Sequence, residues 1–149
     1  MNKKSNKITS FFKVFNLDNS TKIEIPLFVD TISAGFPSPA DDYIEEKLDL
    51  NKHLIKHPEA TFYVKAKGNS MINIGIFEDD ILIVDRSLDP ANNSIVIGVV
   101  NGEFTVKRIN KSDDKFYLIP ENDNFPPIEI TESMDFKIWG VVTNAIHKL

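Results

Sequence analysis

From Thr61 to Ile146 the chain is built of short stretches rich in β-branched and aromatic residues: TFYVKAKG, ILIVD, SIVIGVVN, EFTVKRI, FYLIP, IEI and FKIWGVVTNAI. Turn clusters separate them at Glu78-Asp79-Asp80, Asp89-Pro90, Asn101-Gly102 and Ser112-Asp113-Asp114. Such residues suit a pleated, half-buried surface, and the punctuation is too frequent for long helices. The sharpest constraint is Asn101-Gly102. Both central residues of a type I′ turn need positive φ, which asparagine and glycine tolerate best. The pair predicts a two-residue hairpin joining a strand at Ile95–Val100 to one at Glu103–Ile109. The expected fold class is therefore mostly β: a compact body of several twisted strands.

The front of the chain is different. MNKKSNKITS and NLDNST are polar and patternless, which predicts a mobile lead around the apolar patch FFKVF. IEIPLFVD follows, and Pro26 removes a backbone donor, so this stretch is expected at an edge or merely extended. SAGFPSPADDY disfavours helix and regular sheet alike. Its composition leaves two readings open: a linker, or the extended exposed conformation that a protease needs in a substrate. DDYIEEKLDLNKHLIKHPEA is expected to form one or two short helical turns, capped by Asp41 or Asp42 and ended by Pro58. The predicted organisation is an arm over residues 1–34, a linker with short helical turns over 35–59, and a β-rich domain over 60–149.

The chain has 149 residues, enough for one sizeable core. It has no cysteine, so disulfides, thiolate zinc sites, iron–sulfur clusters and cysteine nucleophiles are excluded. His53 and His57 stand four apart, one face of a helix if they share one, but no third ligand joins them at metal spacing. No metal and no cofactor is expected. The longest apolar run, Ile95–Val100, is six residues, far short of a membrane span. No long apolar block follows Lys3, Lys4 and Lys7, so a signal peptide is not expected and the expected compartment is the cytoplasm. The net charge of −5 argues against a protein that coats nucleic acid. Residues 1–34 nevertheless carry five lysines against Asp18, Glu24 and Asp30, ahead of a body with 12 basic and 19 acidic residues.

KGNSM, residues 67–71, places Ser70 in a glycine-containing turn without a histidine beside it. The serine is either a turn residue or a nucleophile. Within EFTVKRI, alternation puts Phe104, Val106 and Arg108 on one face and Thr105, Lys107 and Ile109 on the other. A strand lysine is ordinarily solvated. If Lys107 is buried instead, desolvation disfavours its ammonium form, and a neutral amine beside a serine hydroxyl can replace the histidine–carboxylate pair.

Taken together, VKAKGNSM at 64–71, EDDILIVD at 78–85 and NGEFTVKRI at 101–109 resemble the LexA/UmuD family of self-cleaving serine–lysine proteins. Ser70 and Lys107 are 37 positions apart, as is typical there, and Ala34-Gly35, 36 residues before Ser70, resembles the family's cleavage junction. GFPSPADDY, DLNKHLIKHPEATFYVKA and GEFTVKR are closest to the UmuD branch, and the resemblance runs from about Ile25 to the C-terminus. The lead before Ala34 is longer than that branch leads one to expect, and the junction carries alanine where some members have cysteine.

The resemblance implies a regulatory subunit of an error-prone translesion DNA polymerase in the SOS response. Ser70 is then the nucleophile, Lys107 its base, and the backbone N–H groups of Ser70 and Met71 the oxyanion donors. Cleavage falls between Ala34 and Gly35, promoted by a RecA filament on single-stranded DNA. The partners so implied are a second copy of the chain and the catalytic subunit of a Y-family polymerase, UmuC-like. Membrane attachment and sequence-specific DNA binding are not expected. A LexA-like repressor would need a helix-turn-helix domain, for which 34 residues containing Pro26 offer no helical pair. A signal peptidase would need an anchor, and it would carry proline where Asn73 stands. A non-catalytic binding module would use the strand FKIWGVVTNAI, with Trp139, Val141 and Val142 as core or interface.

Overall fold

The computed structural model describes residues 14–16, 20, 22–28, 34–35 and 45–149. The chain forms two compact units: His57–Leu149 with the leading strand is one, and Asp18–Lys56 is the other.

The larger unit is an eight-stranded antiparallel sheet. Its strands are β1 (Val14–Asn16), β4 (Thr61–Lys65), β5 (Ile81–Asp85), β6 (Ile95–Val100), β7 (Glu103–Ser112), β8 (Lys115–Ile119), β9 (Ile128–Ile130) and β10 (Phe136–Ile146). Across the sheet they run β1-β4-β5-β10-β6-β7-β8-β9. The mostly β expectation holds. The Asn101-Gly102 hairpin is present as anticipated: Val100 pairs with Glu103, and the two turn residues have φ of 48° and 82°. β7 runs three residues past the anticipated Ile109, to Ser112.

Successive residues point to opposite sides of a sheet, and here both sides are buried. Ile97 and Val106 join Val64, Ala66, Met71, Leu82 and Val84 in one apolar cluster. Val96, Ile109 and Leu118 form a second. The C-terminal strand lies between β5 and β6, so both of its edges are paired. Trp139 packs on the first cluster with Phe62 and Phe104 around it, and Arg86 lies 5.0 Å over its ring. Val142 joins that cluster and Val141 the second.

The smaller unit pairs β2 (Glu24–Phe28) with β3 (Glu45–Asp49) in a two-stranded sheet. The proline-containing stretch is thus a strand with one neighbour, as Pro26 requires. Glu45–Asp49, expected to be helical, is a strand, because Leu48 gains a cross-strand partner in Ile25. The helix α1 (Leu50–Leu54) begins after it and is capped by Asp49, whose side chain accepts from the Asn51 N–H at 3.0 Å. Asp41 and Asp42, the anticipated caps, lie outside the described residues, as do most of the polar lead and of SAGFPSPADDY. Pro58 opens a 3-10 turn, Pro58–Ala60, rather than only ending a helix. No described helix is long and apolar enough to cross a membrane.

Candidate active site

The 3-10 turn Ile72–Ile74 and the residues before it form the loop that carries Ser70. Gly68 enters it at φ 82°, a left-handed conformation that costs glycine nothing. Met71 is the anchor: its side chain is almost wholly buried in the first apolar cluster, which fixes its neighbour Ser70 at the half-buried rim. A second fastening comes from far along the chain. The Glu121 N–H donates to the Ser70 carbonyl at 2.8 Å, and the Asn73 N–H donates to the Glu121 carbonyl at 2.8 Å. The buried Asn122 amide donates to the Asn69 carbonyl at 2.9 Å. Arg108 holds this bracket to the sheet, with Nε donating to Glu121 Oε1 and Nη1 to the Asn93 carbonyl at 2.7 Å. Among the described residues, the Ser70 and Met71 N–H groups meet no acceptor.

Lys107 comes from β7, and the residue is only 8% exposed. Its Nζ lies 3.0 Å from Ser70 Oγ, 2.8 Å from Thr105 Oγ1 and 3.0 Å from the Val106 carbonyl oxygen. All three neighbours are uncharged. Burial therefore acts without a compensating anion and lowers the Lys107 pKa below its ordinary 10.5. The strand alternation placed Thr105 on the lysine's face, so this contact was within reach of the sequence. Glu121 and Asn122 gave no local signal, since they reach the serine loop only through the fold.

Ala34 and Gly35 lie in an exposed bend of the smaller unit. His53 and His57 do not share a helix, because α1 stops at Leu54. His57 Nδ1 instead lies 2.6 Å from the buried Asp85 carboxylate, and His147 Nδ1 lies 2.8 Å from the buried Asp80. For Asp85, burial pushes the carboxyl up, but hydrogen bonds from Ser87 and His57 outweigh it and hold the pKa below its ordinary value. Among the described residues no group of three metal-ligating side chains occurs.

The sequence matches the Peptidase S24-like family over residues 26–143. It is 46% identical to protein SamA of Salmonella typhimurium over 123 residues, which are 83% of this chain and 85% of that one. It is 38% identical to protein MucA of Escherichia coli over 135 residues, 89% of this chain and 92% of MucA. The LexA repressor of Ectopseudomonas mendocina is 35% identical over 121 residues, 80% of this chain but 59% of the repressor. SamA and MucA are UmuD-like proteins, and LexA is a more distant relative. The chain belongs to the peptidase S24-like family of self-cleaving serine peptidases, among its UmuD-like members with a role in SOS mutagenesis.

Proposed function

We propose that this protein is the self-cleaving regulatory subunit of an error-prone translesion DNA polymerase, converted to its active form by cutting its own chain between Ala34 and Gly35. The observation that carries this reading is the buried Lys107 amine 3.0 Å from the Ser70 hydroxyl. Neutral Lys107 takes the proton of Ser70 as Oγ bonds to the Ala34 carbonyl carbon. The N–H groups of Ser70 and Met71 are suited to the oxyanion of the tetrahedral intermediate. As the Ala34–Gly35 bond breaks, the Lys107 ammonium returns the proton to the departing Gly35 amine. Water, deprotonated by the same lysine, then hydrolyses the ester on Ser70 and frees the Ala34 carboxylate.

Residues 1–34 are the piece removed, and 35–149 the active product. In this reading a RecA filament on single-stranded DNA promotes the cut. The product works as a homodimer with the polymerase's catalytic subunit. The test is incubation of the purified chain with RecA, single-stranded DNA and ATP, followed by intact-mass analysis. Fragments ending at Ala34 and beginning at Gly35 are expected, and none from Ser70→Ala or Lys107→Ala. Undiminished product from either variant removes the pair from the chemistry.

A further inference from the structure

The two edges of the eight-stranded sheet are guarded differently. At one, β9 is three residues long, follows Pro126-Pro127 and carries the exposed Glu129. Shortness, proline and charge are the devices that keep an edge from recruiting another strand. At the other edge β4 runs Thr-Phe-Tyr-Val-Lys, four residues of high strand propensity and a terminal lysine, without proline. Its one charge, Lys65, stands at the end and pairs with Asp79 at 3.5 Å. What guards this edge is β1, laid antiparallel with Val14 opposite Val64, Phe15 opposite Tyr63 and Asn16 opposite Phe62. β1 lies ahead of Ala34. Cleavage after Ala34 cuts its covalent link to the body and leaves the freed piece paired through short ladders, three residues here and five through β2. Ladders this short are marginal once untethered.

Resting on the self-cleavage reading, we propose that the β4 edge is a strand-docking site for an extended, uncharged, apolar segment of a partner protein, and that β1 occupies this seat until the chain is cut. Main-chain hydrogen bonds to an exposed edge supply affinity, and the facing side chains supply selectivity. β1 shows the chemistry the edge accepts: an antiparallel strand without charge opposite Phe62, Tyr63 and Val64. The body carries 19 acidic against 12 basic residues, a net negative charge that disfavours an acidic occupant and leaves an uncharged segment unaffected.

The test uses a labelled peptide of residues 11–20 with Lys13→Thr and Asp18→Asn, so that no side chain is charged, as the strand probe. Two proteins are compared: full-length Ser70→Ala, and the 35–149 product made by cutting a chain with a foreign protease site placed at the junction. The second preparation does not depend on Ser70, so failure of self-cleavage and failure of docking are read separately. The cut product should bind the peptide at least tenfold more tightly than the uncut chain, with backbone amide shifts concentrated at residues 61–65. The same peptide with Phe15→Pro, which lacks a donor N–H, should lose binding. Equal binding to cut and uncut protein overturns the proposal. So do shifts away from β4, unchanged binding of the proline peptide, or a cut product whose β4 amides are already protected by self-association.

Discussion

Self-cleavage without any activator should accelerate about tenfold per pH unit while Lys107 is mostly protonated, then level off. The expectation follows from counting protons at Nζ. An ammonium has three N–H donors, and an amine has two and one lone pair. Nζ has three oxygen neighbours: the Val106 carbonyl, the Thr105 hydroxyl and the Ser70 hydroxyl. The carbonyl can only accept. As an amine, Lys107 donates to Val106 and Thr105 and turns its lone pair to the Ser70 O–H, which is the reactive arrangement. As an ammonium it donates to all three, and the serine proton has no acceptor there. The rate therefore tracks the neutral fraction. Because burial lowers this pKa, levelling should begin below the ordinary lysine value of 10.5. Lys107→Arg stays protonated throughout, so its rate should be flat with pH and about 10²–10⁴-fold lower than the wild-type plateau. Timed quenching and intact-mass quantification of the two fragments measure both, with circular dichroism marking the pH range in which the protein stays folded. A wild-type rate independent of pH, or an arginine variant with the wild-type profile, would refute the assignment of Lys107 as base.

Asn122→Ala removes the 2.9 Å bond to Asn69 and the acceptor of the Asn124 N–H, so it should slow cleavage by roughly tenfold to a hundredfold at every pH. The pH profile should keep its midpoint, and a moved midpoint would mean that Asn122 acts on the lysine's charge instead. Gly140→Ala puts a Cβ 2.6 Å from Val84 Cγ1 and 3.4 Å from the Asp85 carbonyl oxygen, inside the first apolar cluster. Overpacking of this kind costs about 1–3 kcal/mol and should lower the melting temperature by roughly 3–10 °C, whereas an unchanged melt would show that the strand gives way freely. Lys107→Met should be more stable than wild type near neutral pH. The unfolded lysine binds its proton more tightly than the folded one, so wild-type stability rises with pH and the advantage should fade towards pH 10.5. Parallel stability curves for the two proteins across that range would contradict the burial penalty.

The strand body was legible because its signals are local. Asn101-Gly102 specifies its own turn, and the β-branched runs around it need no distant partner to declare themselves. The lysine's face was legible for the same reason: a period of two places Thr105 beside Lys107 wherever the strand ends up. Two things were not. Glu45–Asp49 reads as helical because its charges and leucine fit a helix, and only pairing with Glu24–Phe28 makes it a strand. The bracket on the Ser70 loop comes from residues 51 and 52 positions further on, held by Arg108 across the sheet. No window along the chain contains both halves of that contact. The partner of His57 was hidden for a related reason, since the helix stops at Leu54 and Asp85 is 28 residues away.

Ser70 and Lys107 already stand at hydrogen-bond distance, so an activator has no assembly of the pair to perform. In the proposed self-cleavage, what then varies is the proton on Lys107 and the delivery of Ala34–Gly35. These two are coupled. A chain segment settling over Nζ excludes water, which lowers the lysine's pKa further, and by linkage the neutral amine favours the settled segment. While docking is rare, the observed midpoint is that of the uncovered lysine. When docking dominates, it is that of the covered one. An activator that works by holding the segment in place should therefore do two things at once: raise the rate at neutral pH and move the midpoint of the profile to lower pH. Recording the full pH profile with and without a RecA filament separates this from any other route. A rate raised equally at every pH, with the midpoint fixed even at saturating filament, would refute a filament that makes the docked state dominant, leaving either docking that is still rare or a changed chemical step.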